Sequence, residues 1–277
     1  VLYLVATPIG NLGDITYRAI DVMRSCTLIL CEDTRHARTL MERYEISTPL
    51  ESYHKFSEVK KLDKILTSLD AGEDIVLISD AGTPGIADPG NILVKECQTR
   101  GIETTALPGP CAIIDALVLS GLDATRFQFI GFFPRKDGER RRTILDILSF
   151  PGTTITYESP HRLIDVLTLF EEVAPENKLC VARELTKKFE EIKVAHPAEL
   201  LSHFSQKTVK GEIVLLIEGS NQKEQDWEKL SAKEHVTLIE TTFGIKGKEA
   251  IKIVAEIRGV PKREIYAKNL ETDDTTL

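Results

Sequence analysis

The sequence predicts an α/β protein of two domains followed by a small helical C-terminal domain. Three observations predict it. Short, nearly continuous apolar runs alternate with helix-spaced segments through the first 120 residues, the pattern of a mainly parallel sheet covered on both faces. Loops rich in glycine, proline and acidic residues follow those runs, where open α/β sheets bind their ligands. Beyond Gly219 the chain turns polar through about residue 230, and helical spacing returns over residues 247–270.

The elements follow in order. Val1-Leu2-Tyr3-Leu4-Val5-Ala6 has no basic residue before it, so it is expected to be a first strand and not a signal peptide. Residues 16–25 fit a helix with Asp14 near its start. Residues 27–31 (Thr-Leu-Ile-Leu-Cys) read as a strand and 34–44 as a helix. Residues 57–70 place Val59, Leu62, Ile65, Leu66 and Leu69 on one helical face. Strands at 74–78 and 102–107 flank a helix near 89–99, and another helix follows Pro110. Leu122-Asp123-Ala124-Thr125 suits a linker, which makes residues 1–121 the first domain. The second, 122–220, has strands expected near 127–131, 153–157, 178–182, 190–195 and 212–218, with helices near 138–149, 160–173 and 197–205. Its spacing implies a more mixed sheet. Residues 221–277 form the small helical domain, with two short helices joined at Gly259-Val260-Pro261 and Pro261 at a first helical position.

Composition narrows the function. With 277 residues, 42% apolar and 28% charged, the chain reads as a soluble globular protein. Its apolar runs are too short to span a membrane. The five cysteines are scattered and none has C-x-x-C spacing, so neither a zinc site nor a disulfide framework is indicated. Reduced thiols point to the cytoplasm. The net charge of −8 argues mildly against nucleic-acid binding. Charge is uneven, however. Residues 134–142 hold five basic and two acidic side chains, a net of +3, and residues 246–268 hold seven and three, a net of +4. Such patches bind RNA on acidic proteins, and they also arise as solvated helix faces.

The strand-end loops carry the chemistry. Residues 79–90, Ser-Asp-Ala-Gly-Thr-Pro-Gly-Ile-Ala-Asp-Pro-Gly, follow the buried run Ile75-Val76-Leu77-Ile78. Glycine there permits close backbone approach, and proline fixes the path. Thr7-Pro8-Ile9-Gly10-Asn11-Leu12-Gly13-Asp14 follows the first strand but lacks the G-x-G-x-x-G spacing, which excludes the dinucleotide fingerprint of an oxidoreductase. Glu32-Asp33-Thr34-Arg35 suits either a polar site or a helix cap at Asp33 or Thr34. Leu107-Pro108-Gly109-Pro110 forces a turn. Tyr157-Glu158-Ser159-Pro160-His161-Arg162, Arg183-Glu184-Leu185-Thr186-Lys187 and Lys210-Gly211-Glu212 mix acid and base at other strand ends.

Taken together and in this order, these motifs resemble the bacterial ribosomal small-subunit RNA methyltransferase I family of the tetrapyrrole-methylase superfamily. The resemblance runs over about residues 2–270. It is looser over the last 50 residues, and position 87 is Ala where the family more often has Ser. It implies two α/β domains of the tetrapyrrole-methylase type with S-adenosylmethionine in a cleft between them, and a homodimer. The implied reaction is methylation of a cytidine ribose 2′-hydroxyl in the decoding region of small-subunit (16S) ribosomal RNA. The rival readings are a methyltransferase for a small tetrapyrrole precursor and a non-catalytic ribosome- or RNA-binding module.

On this reading Pro8, Asp80, Gly82, Thr83, Pro108 and Gly109 contact the cofactor. Ser120 walls its adenosine side, and Tyr157, Arg183 and Glu184 reach cofactor or acceptor from the second domain. A general base is sought first at Glu32 or Asp33, then at Glu158 and His161, because a ribose hydroxyl is a poor nucleophile. Lys187 and Arg35 orient a phosphate or steady the alkoxide. Arg18, Arg35, Arg135, Lys136, Arg140, Arg141, Arg142, Lys262 and Arg263 are expected to follow the RNA backbone. No metal is expected.

Overall fold

The computed structural model describes residues 1–206, 208–219 and 229–270. They form two compact units, one of Val1–Leu119 with Arg183–Glu191, the other of Ser120–Ala182 with the described residues from Ile192 onward.

The first unit contains β1 (Leu2–Val5), α1 (Tyr17–Ser25), β2 (Leu28–Cys31), α2 (Thr34–Arg43), β3 (Leu50–Ser52), α3 (Glu58–Asp70), β4 (Ile75–Leu77), α4 (Asn91–Arg100), β5 (Thr104–Leu107) and most of α5 (Ala112–Ser120). The sheet is wholly parallel, in the order β3-β2-β4-β1-β5. Both faces are covered, as the continuous apolar strands require. Ile29, Cys31, Val76 and Val5 pack on one side with Met23, Leu40 and Met41. Leu30, Ile75, Leu77 and Leu2 pack on the other with Ile65, Leu66 and Leu93. The period of two along each strand makes this division.

Two details differ from the sequence reading. β3 was not expected, because three half-buried residues after Pro49 carry no periodic signal. Helix α1 is capped by Thr16, whose hydroxyl accepts the Ala19 N–H at 3.1 Å, while Asp14 ends a preceding 3₁₀ turn, Leu12–Asp14.

The second unit holds β6 (Phe127–Phe132), α6 (Asp137–Ser149), β7 (Thr153–Glu158), α7 (Leu163–Val173), most of β8 (Leu179–Arg183) and β9 (Glu191–Ala195), α8 (Pro197–Ser205) and β10 (Ile213–Glu218). Its sheet runs β6-β7-β10-β8-β9 and is mixed: β6 is parallel to β7, and β10 antiparallel to it. Three further helices follow, α9 (Ala232–Phe243), α10 (Lys248–Arg258) and α11 (Lys262–Leu270). A capping box starts α9, with Ser231 and Glu234 each accepting the other's backbone N–H.

The expected third domain, 221–277, takes a different form. Residues 221–228 and 271–277 lie outside the described residues. Of the rest, Val236, Ile239, Ile253 and Val254 enter the same buried cluster as Leu163, Phe170 and Phe204. Three short helices bury too little among themselves, so they complete the core of the second unit. The segment Arg183–Glu191, expected within the second domain, packs with the first unit.

Candidate active site

Parallel strands place their following loops along one edge of the sheet, and in the first unit those loops interlock. Thr7 and Gly82 form a two-way backbone bridge, with N–H to O distances of 2.9 and 3.0 Å. The Thr7 hydroxyl donates to the Ser79 carbonyl at 3.2 Å, and the Thr83 hydroxyl to the Pro110 carbonyl at 3.4 Å. Gly109 sits so close to the first loop that a Cβ on it would lie 2.9 Å from the Ala6 Cβ. Pro8, Gly82, Thr83, Pro108 and Gly109 thus belong to one joined set of loops, as does Asp80, which accepts the Asp33 N–H at 3.1 Å.

Gly10 explains why Arg183–Glu191 belongs to this unit. A Cβ there would run into the Lys187 side chain and stand 2.9 Å from the Leu185 carbonyl and from the Thr186 hydroxyl. The approaching segment is tightly turned, with Glu184 at φ +52° and Thr186 at φ +63°. Non-glycine residues at such angles cost free energy and persist where surrounding contacts hold them. Here Arg183 pairs with Glu191, Lys187 with Glu184 at 3.0 Å, and the Thr186 N–H donates to Glu190 at 2.6 Å.

The sheet edge beyond β2 and β4 is acidic. Glu32 and Asp88 are half-buried, and their carboxyls face each other at the sheet edge. Burial first, then the charges of Asp88, Asp80 and Glu58, push the Glu32 carboxyl up to about 7. Burial likewise raises Asp88 to about 6. Asp33 contrasts with both. The Arg35 guanidinium and the backbone N–H of Arg35 hold its carboxyl well below the usual range, and its side chain caps α2. Neighbouring carboxylates are thereby driven in opposite directions, one toward neutrality and one into permanent ionisation.

The other acid–base candidates lie in the second unit. Glu158 has a wholly buried side chain; it accepts the Ser159 N–H at 2.6 Å and stands 3.2 Å from the Arg162 guanidinium. Burial raises its carboxyl. Arg162 also donates to the carbonyls of Phe133 and Pro134, so this ion pair ties the end of β7 to the end of β6. His161 is exposed beside it. The Tyr157 ring packs edge-on against Phe129, with centroids 5.0 Å apart. The Ser120 hydroxyl, at the end of α5, accepts the Leu122 N–H at 3.1 Å.

Most of the expected RNA-facing arginines are committed elsewhere. Arg141 grips Glu172 through two nitrogens and also meets Asp137. Arg142 bridges Asp146, Glu249 and Glu256, which bolts α6 to α10. Arg140 donates to the Pro134 carbonyl, Lys136 pairs with Glu139, and Arg35 with Asp33. Arg18, Arg135, Lys262 and Arg263 are exposed. Asp88 and Glu58 were not singled out in the sequence. The signal available for Asp88 was its place in the Gly85–Gly90 turn; Glu58 gave none.

Among the described residues no helix is long and apolar enough to cross a membrane. No group of three or more His, Cys, Asp or Glu among them is arranged to hold a metal ion.

A parallel sheet with interlocked glycine loops at one edge, followed by a second mixed sheet, defines a class. Residues 1–201 match the family model described as Tetrapyrrole (Corrin/Porphyrin) Methylases, and the chain belongs to that family. A solved diphthine synthase shares the fold, with a TM-score of 0.60 at 13% identity over 79% of this chain and 89% of that one.

Closer relatives narrow the class. The chain is 42% identical over 271 residues to the ribosomal RNA small subunit methyltransferase I of Bacillus subtilis (strain 168), covering 96% of this chain and 92% of the relative. It is 43% identical over 273 residues to the enzyme of that name from Escherichia coli O157:H7, covering 98% and 94%. The chain is a methyltransferase of the ribosomal RNA small subunit methyltransferase I family.

Proposed function

We propose that this enzyme transfers a methyl group from S-adenosylmethionine to the 2′-hydroxyl of a cytidine in the decoding region of small-subunit ribosomal RNA, in the cytoplasm and as a homodimer. The observation that carries the chemistry is the contrast between Glu32 and Asp33. A hydroxyl nucleophile needs a proton acceptor poised near the working pH, and Glu32 meets that need at about 7 while Asp33 does not.

The loops fit the cofactor. S-adenosylmethionine supplies an electrophilic methyl on a positively charged sulfur, and it carries a ribose and an amino-acid end. Gly82 and Gly109 bring bare backbone to the sheet edge, where a Cβ on Gly109 would close the gap to Ala6. The carboxylate of Asp80 suits a cationic ligand with hydroxyl donors. Pro8, Thr83 and Pro108 belong to the same joined loops, and Arg183 and Glu184 stand on the segment that Gly10 receives. In the second unit Tyr157 offers an aromatic face beside Phe129 and Phe132, and Ser120 closes α5.

Holding donor and acceptor in line supplies much of the rate. Glu32 takes the proton, and Lys187 steadies the developing negative charge. Glu158 shapes the end of β7 through Arg162, and His161 lies exposed next to it. The RNA backbone is met by Arg18, Arg135, Lys262 and Arg263 more than by Arg141 and Arg142, whose charges are satisfied within the protein.

The test is transfer of labelled methyl to small subunits lacking the modification and to naked ribosomal RNA, with the product mapped by nuclease digestion and mass spectrometry. One 2′-O-methylcytidine is the expected product. Donor binding without transfer to either RNA substrate would move the assignment to a small tetrapyrrole precursor or to a non-catalytic module.

A further inference from the structure

The turn Gly85–Gly90 holds Asp88 by an unusual backbone path. Gly85 has φ +80°, Ala87 φ +64° and Gly90 φ +133°. Ala87 is the revealing one, since a residue with a Cβ is strained there and glycine is not. Pro89 stiffens the turn, and its far end is pinned where the buried Glu58 accepts the Gly90 N–H at 2.9 Å. Strain and pinning together carry the Asp88 carboxyl to Glu32, at the end of the neighbouring strand.

We propose that Asp88 is a positioning residue for methyl transfer, forming with Glu32 a carboxylate dyad in which Glu32 takes the 2′-hydroxyl proton and Asp88 sets its basicity and orientation. This rests on the reading of Glu32 as proton acceptor and adds what makes it one. Among the described residues the charges that act most strongly on Glu32 are acidic: Asp88 on the Gly85–Gly90 turn, Asp80 after β4 and Glu58 on α3. Asp80 also faces Asp88, and the Ser79 hydroxyl donates to the carbonyls of Ala81 and Gly82. Lys61 of α3 and Asp33 act on Cys31, one residue away, and Arg35 is held by Asp33. With both dyad carboxyls ionised, repulsion makes Glu32 a stronger base than a lone glutamate, and a proton arriving on it relieves the repulsion. The step balances. The ribose oxygen gains the methyl and loses its proton to Glu32, the electron pair of the broken carbon–sulfur bond stays on sulfur, and Glu32 returns the proton to water.

The experiment compares Asp88→Asn, Glu32→Gln and the parent in single-turnover transfer from pH 5 to 9, with donor affinity and unfolding of the ligand-free protein measured alongside. In Asp88→Asn the amide donates to Glu32 and removes the like charge. The acid limb of the rate should then move down by about one pH unit and the plateau fall roughly tenfold, with donor affinity held within about twofold. Ligand-free Asp88→Asn should also resist unfolding better than the parent at pH 8 and not at pH 5, a reversal that a merely structural aspartate would not give. An unmoved acid limb in a folded Asp88→Asn, with Glu32→Gln abolishing transfer, overturns the dyad and leaves Glu32 as a lone base. Near-normal transfer by Glu32→Gln overturns the base reading itself. If Asp88→Asn fails to fold, Asp88→Glu, which keeps the charge, decides by retaining the parent limb or losing it.

Discussion

Gly90 donates its backbone N–H to the carboxylate of Glu58, 32 residues earlier in the chain, at 2.9 Å and out of contact with water. Gly90 itself leaves no room for a side chain, since a Cβ would stand 2.7 Å from the Leu77 side chain. One buried hydrogen bond thus fixes the end of the acidic turn and the start of α4. Glu58→Ala leaves the Gly90 N–H without a partner and should cost about 1–3 kcal/mol in urea unfolding. Glu58→Gln keeps an acceptor and should recover most of that loss. Equal losses in the two variants would mean that the charge of Glu58, and not its acceptor, supports the turn.

The two halves of the protein should respond to pH with opposite sign. Glu32 and Asp88 have folded-state values of about 7 and 6, above ordinary carboxyls, so the native state binds more protons than the unfolded chain between about pH 4 and 7. Their contribution to stability is present at low pH and is lost as pH rises through that window. Removing one charge should therefore stabilise the protein at pH 8, by on the order of 1–2 kcal/mol after allowance for solvent screening. Guanidinium unfolding of Asp88→Asn at both pH values measures it.

His235 acts the other way. It is buried on α9, burial and the Arg258 guanidinium lower it to about 4, and its Nδ1 accepts from Arg258 at 3.1 Å. The unfolded chain binds the proton more readily, so the native state loses stability as pH falls from about 6.5 to 4. His235→Gln should flatten that acid limb of the unfolding free energy while leaving the slope between pH 7 and 8 as it was. A limb unchanged in this variant would assign it to other groups.

Basic residues of similar appearance should separate into two functions. Arg142→Ala should lower stability, on the order of 1 kcal/mol, by releasing Glu249 and Glu256 of α10, and should hardly alter the salt dependence of RNA binding. Replacing Lys262 and Arg263 together by Ala should weaken RNA binding and reduce the slope of log affinity against log salt by about 1–2. Filter binding from 50 to 300 mM salt, on the order of conditions that resolve such slopes, distinguishes them. A reduced slope for Arg142→Ala would place α6 on the RNA.

Gly10→Ala should dislodge the 183–191 segment, because the added carbon meets Lys187, Leu185 and Thr186 at once. The expected result is proteolytic nicking near Phe189, which is already exposed, at an intact first-unit core. A variant cut no faster than the parent would show that the segment yields around the methyl group.

Much of this protein was legible in one dimension. Continuous apolar runs and glycine-rich strand ends made the parallel sheet legible, since a strand such as Ile75-Val76-Leu77 buried on both faces can be nothing but apolar. The same loops announced Asp80, Gly82 and Gly109 as neighbours at one sheet edge. What the sequence could not contain was partnership. Glu32 and Asp33 are adjacent and chemically alike, yet one lies against Asp88, 56 residues away, and the other against Arg35, two residues away. Arg141 and Arg142 read as a basic patch until folding brought Glu172 and Glu256 to them. The C-terminal helices read as a domain until their apolar side chains joined the buried cluster of the second unit. Periodicity and backbone conformation are properties of neighbours along the chain, so sequence determines them. The ionisation and reach of a charged group depend on what surrounds it in space, and only the tertiary structure decides that.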